Sequence, residues 1–242
     1  TRQYHGTLPY LYPLLQQLRW GMGWLLGSSA LIGLAVEIAR VVRRPAPPER
    51  WTLLAWVVPF FSFVAGLYVK FPRYLLPILP LLAIYAAHLV ARLSRWRRVL
   101  SVLLSIAILG SLLLRCLALT RMYRAPHPWV TASRWIYDQV EPGATIAVEA
   151  WDHPLPLDAG DYLLLELPVF EEQGPGKWRV IDAALGEADY LVIASRRGYA
   201  SLARWSARYP RTSHYYRRLF QGGLGFEPVA CFTRYPRLGP LV

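Results

Sequence analysis

Apolar residues fill the first half of the chain in four long runs, and in the second half they recur at the shorter periods of helices and strands. A helix that crosses a bilayer needs about 20 mainly apolar residues. The runs Trp20–Val42, Trp51–Val69, Tyr74–Leu93 and Val99–Leu119 meet that length, and each closes on charge or proline. Trp20, Trp24, Trp51, Trp96 and Tyr68 fall near run ends, where amphipathic rings sit at the head-group level. Glu37, Arg40 and Arg115 also lie close to run ends, from which long side chains snorkel toward water. Pro59, Pro77 and Pro80 interrupt the runs, which a membrane bundle tolerates as kinks. Residues 1–19 are aromatic, proline-bearing and too irregular to span, so they read as an interfacial loop.

After Leu119 the pattern changes. Val130, Trp135, Ile136 and Val140 share one face of a helix over Trp129–Val140, which Glu141-Pro142-Gly143 stops. Thr145–Ala150, Tyr162–Leu167 and Tyr190–Ala194 are short and rich in β-formers, as is Pro228–Phe232, so four strands are expected. Helices are expected over Lys177–Leu185, Gly198–Tyr209 and Pro210–Phe220. Strands alternating with helices predict a small, mostly parallel α/β sheet.

Charge then orients the runs. Residues 1–119 carry 13 Lys and Arg against two acids, Glu37 and Glu49, whereas residues 120–242 carry 14 against 13. Nearly all of the net +12 therefore lies in short loops between apolar runs, which fits the positive-inside rule and excludes a nucleic-acid-binding surface. Arg40, Arg43, Arg44 and Arg50 flank the first connection, and Arg92, Arg95, Arg97 and Arg98 the third; the second holds only Lys70 and Arg73. The first and third are expected inside and the second outside. The expected architecture is a bundle of four transmembrane helices over residues 20–119, followed by an extracytoplasmic α/β domain over residues 120–242. The start at Thr1, with no leader pattern, reads as a processed chain or the C-terminal part of a longer one. Cys116 and Cys231 lack metal-ligand spacing and read as buried small hydrophobes.

Two places carry candidate chemistry. Lys70-Phe71-Pro72-Arg73-Tyr74 sets an ammonium and a guanidinium on a short turn at lipid-phosphate depth, and both match phosphate oxygens. Its plainer reading is a polar turn drawn to anionic lipid. Glu149, Asp152 and His153 follow the C-terminal end of an expected strand, where α/β folds place ligands, and could supply acid–base groups. Their plainer reading is a solvated strand exit anchored by Trp151. Gly222-Gly223-Leu224-Gly225 precedes a strand and reads as a turn. Arg196-Arg197 and Arg217-Arg218 read as solvated faces or head-group contacts, and no zinc spacing joins the histidines.

Lys70-Phe71-Pro72-Arg73-Tyr74-Leu75-Leu76-Pro77 followed by Leu79-Pro80-Leu81-Leu82-Ala83 resembles a late segment of the GT-C membrane glycosyltransferases. The match is to the bacterial branch related to family 39, which is similar to the dolichyl-phosphate-mannose–protein mannosyltransferases. Arg2-Gln3-Tyr4, Pro9-Tyr10-Leu11-Tyr12-Pro13, Trp151-Asp152-His153-Pro154 and Asp189-Tyr190-Leu191-Val192-Ile193 extend the resemblance along the chain. It implies transfer of a sugar from a polyprenyl-phosphate donor at the outer membrane face to a lipid, glycan or protein acceptor. It places Lys70, Arg73 and Tyr74 at the donor phosphate. Arg2, Tyr4, His5, Tyr10, Glu149, Asp152 and His153 become outer-face contacts, with no metal or cofactor. The family's catalytic carboxylate lies in a first outer loop that nothing here matches, so the resemblance implies the C-terminal portion of such an enzyme, inactive alone. Two rivals need no missing half: a non-catalytic membrane subunit whose outer domain binds a partner protein, and, more weakly, a transporter fragment.

Overall fold

The computed structural model describes residue 4, residues 6–45 and residues 47–237. Arg2 and His5 lie outside the described residues. The chain forms two compact units, one over Gly6–Ala118 and the other from Leu119 onward together with Tyr4.

The first unit is helical. After α1 (Leu11–Gln16) the chain makes a π turn over Gln17–Gly21 and restarts at Trp24 as α2 (Trp24–Arg43). The first long apolar helix therefore begins later than expected. Gly23 sits at φ +79, a left-handed geometry that glycine tolerates, and this separates the two helical pieces. Arg115 donates to the carbonyls of Arg19 (3.1 and 3.0 Å) and Trp20 (3.1 Å) at this break. It therefore satisfies loose helix-end carbonyls instead of snorkelling. Ala30, Gly33, Glu37 and Val41 line the buried face of α2. A Cβ on Gly33 would collide with the carbonyl of Tyr85, so the bare glycine lets the two backbones touch, as small residues do between membrane helices. Glu37 likewise turns inward, to an ion pair with Arg50 at 3.4 Å.

α3 (Pro48–Gly66) opens on Glu49 and Arg50, and its apolar part, from Trp51 to Gly66, is about 24 Å long at about 1.5 Å per residue. The next helix opens as a 3-10 segment over Pro72–Ile78 before α4 (Leu79–Trp96). Pro77 and Pro80 cannot donate to the carbonyls four residues back, which explains the tighter opening. α5 (Arg98–Tyr123) buries only Ser101, Ile108 and Ala118 of its length and exposes Leu103, Ile106, Leu109 and Leu113. Among the described residues, three helical stretches are long and apolar enough to cross a membrane: Trp24–Arg43, Pro72–Trp96 and the run from Arg98 that includes α5. α3 is not among them, because its first turn is charged.

The second unit is a small α/β fold. α6 (Pro128–Gln139) leads into β1 (Thr145–Glu149), then β2 (Leu163–Leu167), α7 (Pro175–Glu187), β3 (Tyr190–Val192) and α8 (Pro210–Phe220). The sheet is all parallel in the order β2-β1-β3, with Ala147 opposite Leu165 and Leu191. Side-chain alternation along the central strand sends Ile146 and Val148 to a core with Ile136 of α6. Ala147 faces Trp178 and Ile181 of α7 and Tyr216 of α8. Lys177 is buried and donates to the carbonyls of Val169 (2.7 Å) and Glu171 (3.2 Å), tying the loop after β2 to α7.

Three expectations change here. Gly198–Tyr209 is not a helix; a π turn over Gly198–Leu202 gives way to turns, because Pro210 pushes Tyr209 out of helical geometry (φ −124, ψ 56). Among the described residues Pro228–Phe232 joins no strand; Phe232 packs instead on Trp135 of α6, with ring centroids 6.1 Å apart. Cys116 and Cys231 are exposed and in no disulfide, so neither is a core residue.

Candidate functional site

The first candidate site is the turn between α3 and α4. Backbone and side chains from the start of the unit brace it. The Tyr10 N–H donates to the Ala65 carbonyl (3.2 Å), and the Tyr10 phenol lies against Gly66. Gln17, buried, donates from Nε2 to the Pro72 carbonyl at 2.8 Å. Within this frame Lys70 is only 5% exposed. Its ammonium donates to the Tyr68 carbonyl (3.2 Å) and lies 5.5 Å from the centre of the Tyr68 ring. Arg73 is exposed and stacks over Phe71 at 4.3 Å and Tyr74 at 5.7 Å. Phe71 and Tyr74 meet edge to face at 5.5 Å.

The electrostatics of this turn are lopsided. Among the described residues no carboxylate pairs with Lys70 or Arg73. A buried ammonium has three donors, and one carbonyl and a ring face serve it incompletely. The turn thus carries two cations, Lys70 against Tyr68 and Arg73 over Phe71 and Tyr74. Of the residues expected here, Lys70, Arg73 and Tyr74 share the turn and Tyr10 braces it. Tyr4 is buried and groups with the second unit.

The second candidate site is the carboxyl edge of the sheet, at β1 and β3. The connections leave β1 toward β2 and return to β3 on its other side, so this edge is the switch point where open α/β sheets bind ligands. Glu149, the last residue of β1, is 5% exposed and accepts a hydrogen bond from the Tyr216 hydroxyl at 2.7 Å. Burial pushes its carboxyl up to about 7; the Tyr216 hydrogen bond opposes that shift and the neighbouring Asp152 adds to it. The Tyr216 and Tyr215 phenols are pushed upward by the same burial and by Glu149. Gly198 closes over the pair, since a Cβ there would strike the Tyr216 hydroxyl.

Asp152 accepts a hydrogen bond from the Ser195 hydroxyl and pairs with Arg197 at 3.4 Å. Arg197 is thus drawn to a carboxylate and is not a plain solvated face. His153 is exposed and stands apart, edge-on to Trp129 at 5.9 Å. The structure therefore joins Glu149 to Asp152 and leaves His153 out. Trp151 (φ 88) is exposed and packs near Phe170 at 6.2 Å, so it is not the core anchor expected of it. Among the described residues no group of three or more His, Cys, Asp or Glu side chains could hold a metal ion.

Gln17, Ser195, Gly198 and Tyr216 were not singled out from sequence. Only Arg197, read as half of a basic pair, carried any signal. No family model, curated protein or solved structure matches this chain.

Proposed function

We propose that the chain is the donor-binding part of an integral membrane glycosyltransferase that uses a polyprenyl-phosphate-linked sugar. The observation that carries this reading is the buried, carboxylate-free Lys70 close in sequence to Arg73, at the start of the helical stretch Pro72–Trp96, which is long and apolar enough to cross a membrane. A phosphate leaving group offers oxygens to both cations. A guanidinium takes two of them in its fork, while the ammonium acts as a point charge. Such preorganised cations stabilise the negative charge that grows on a departing phosphate. Tyr68, Phe71 and Tyr74 supply an apolar rim suited to the first prenyl carbons. The base that activates the acceptor is assigned to residues other than those of this chain.

The same reading makes α3 a fourth span, whose short apolar part is accommodated by local thinning of the bilayer. It sets the arginine-rich connections inside, and the Lys70–Arg73 turn and the second unit outside. The test uses the full-length protein in proteoliposomes with a polyprenyl-phosphate sugar. Lys70→Ala with Arg73→Ala is expected to abolish donor turnover while membrane insertion stays intact. Turnover equal to the parent protein sinks the assigned role and leaves the partner-binding subunit as the better account.

A further inference from the structure

A second cation without a carboxylate partner among the described residues lies elsewhere. Within the second unit, Met122, Tyr123, Ala125, His127, Pro128 and Arg234 line an open cleft of about 370 Å³. This lies in the range of about 300–1,000 Å³ in which proteins hold small ligands. Nη1 of Arg234 is out of contact with water and has no hydrogen-bond partner among the described residues. No carboxylate pairs with this guanidinium among the described residues either. Nη1 is therefore a charged donor with no acceptor among the described residues, which an anion in the cleft would supply.

The other polar groups in the cleft also donate. His127 accepts the Trp129 N–H at its Nδ1 (3.2 Å), so in the neutral ring Nε2 carries the hydrogen. Tyr123 adds an exposed hydroxyl. The remaining lining, Met122, Ala125 and Pro128, is apolar. Donors without a fixed acceptor beside an apolar wall match an amphiphile with an anionic head.

Position along the chain indicates which one. The apolar run of α5 ends at Leu119, and the cleft begins three residues later, at Met122, or about 4.5 Å along the helix. Exposed Arg121 and Arg124 flank it, as cations do at head-group depth. We propose that this cleft binds the phosphate of an anionic membrane phospholipid, with Arg234 and His127 as its donors. The inference rests on α5 being a span, and does not depend on the role given to Lys70.

The test is native mass spectrometry of the full chain released from detergent. The probes are dihexanoyl phosphatidylglycerol, dihexanoyl phosphatidylcholine and inorganic phosphate, each offered alone. The parent chain is expected to retain phosphatidylglycerol in preference to the other two. Arg234→Gln should weaken that retention about tenfold, as the loss of a hydrogen bond to a charged group does. His127→Gln, which keeps an acceptor for the Trp129 N–H, should weaken it less and serves if Arg234→Gln does not fold. Retention unchanged in both variants overturns the site. Inorganic phosphate held as well as the lipid overturns the lipid assignment. Recovery of the chain in the aqueous fraction removes the span itself, an outcome distinct from any failure of donor turnover at Lys70.

Discussion

Glu149 shows what one residue can contribute when packing changes its chemistry. An ordinary glutamate near 4.5 is charged at neutral pH; here burial lifts the carboxyl to about 7, so near neutrality it is half protonated. Between about 4.5 and 7 the folded state holds a proton that the unfolded chain has released. Stability must then fall as pH rises through that window and stay low above it. The full effect is on the order of 3 kcal/mol. Thermal melts of the second unit's signal at pH 5 and pH 8 should show the higher midpoint at pH 5. Glu149→Gln should flatten the difference and raise the midpoint at pH 8. Equal midpoints for the parent protein at the two pH values would falsify the burial argument.

At the scale of elements, the closest packing in the first unit is between α2 and α4, and it hangs on a missing side chain. Gly33 brings the α2 backbone against the Tyr85 carbonyl of α4, and Leu82, Tyr85 and Ala86 complete the contact. Gly33→Val should destabilise the unit by about 1–3 kcal/mol, the usual cost of overfilling a packed contact. Gly110→Ala on α5, where an added Cβ meets nothing within 4 Å, should not destabilise the unit, because alanine is the better helix former. Denaturant titration in micelles compares the two, and an equal effect from both would remove the packing explanation. The 3-10 opening of α4 also belongs to this scale. Its prolines tighten the segment that carries Arg73 and Tyr74, and so hold the cationic turn in shape.

At the scale of the molecule, the proposed topology has a native reporter. Cys231 is exposed in the second unit, whereas Cys116 is exposed on α5 within its apolar run. In intact cells a membrane-impermeant maleimide should label Cys231 and spare Cys116. Labelling of Cys231 only after the membrane is opened would invert the topology. It would also place the Lys70 turn on the inner face and remove the outer-face donor site with it.

Much of this protein is legible along the chain itself. The long apolar runs, the central strands, α6, α7 and α8 follow from period and length, because local burial repeats every 3.6 or 2 residues whatever lies opposite. The Lys70–Arg73 turn is legible for the same reason, since its cations are neighbours in sequence. Where local pattern and tertiary context compete, the pattern misleads. Leu202, Trp205 and Tyr209 have helical spacing, yet Pro210 and the close seat of Gly198 against Tyr216 leave turns there. Pro228–Phe232 has the composition of a strand but no ladder partner among the described residues. The meeting of Glu149 with Tyr216 spans 67 positions, and that of Gln17 with Pro72 spans 55. A hydrogen bond requires its atoms within about 3 Å, and nothing local in a sequence records which distant atoms come that close. Composition and period determined what kind of chain this is; only the packed structure decided which cations stand without a carboxylate and which carboxyl burial pushes up toward neutrality.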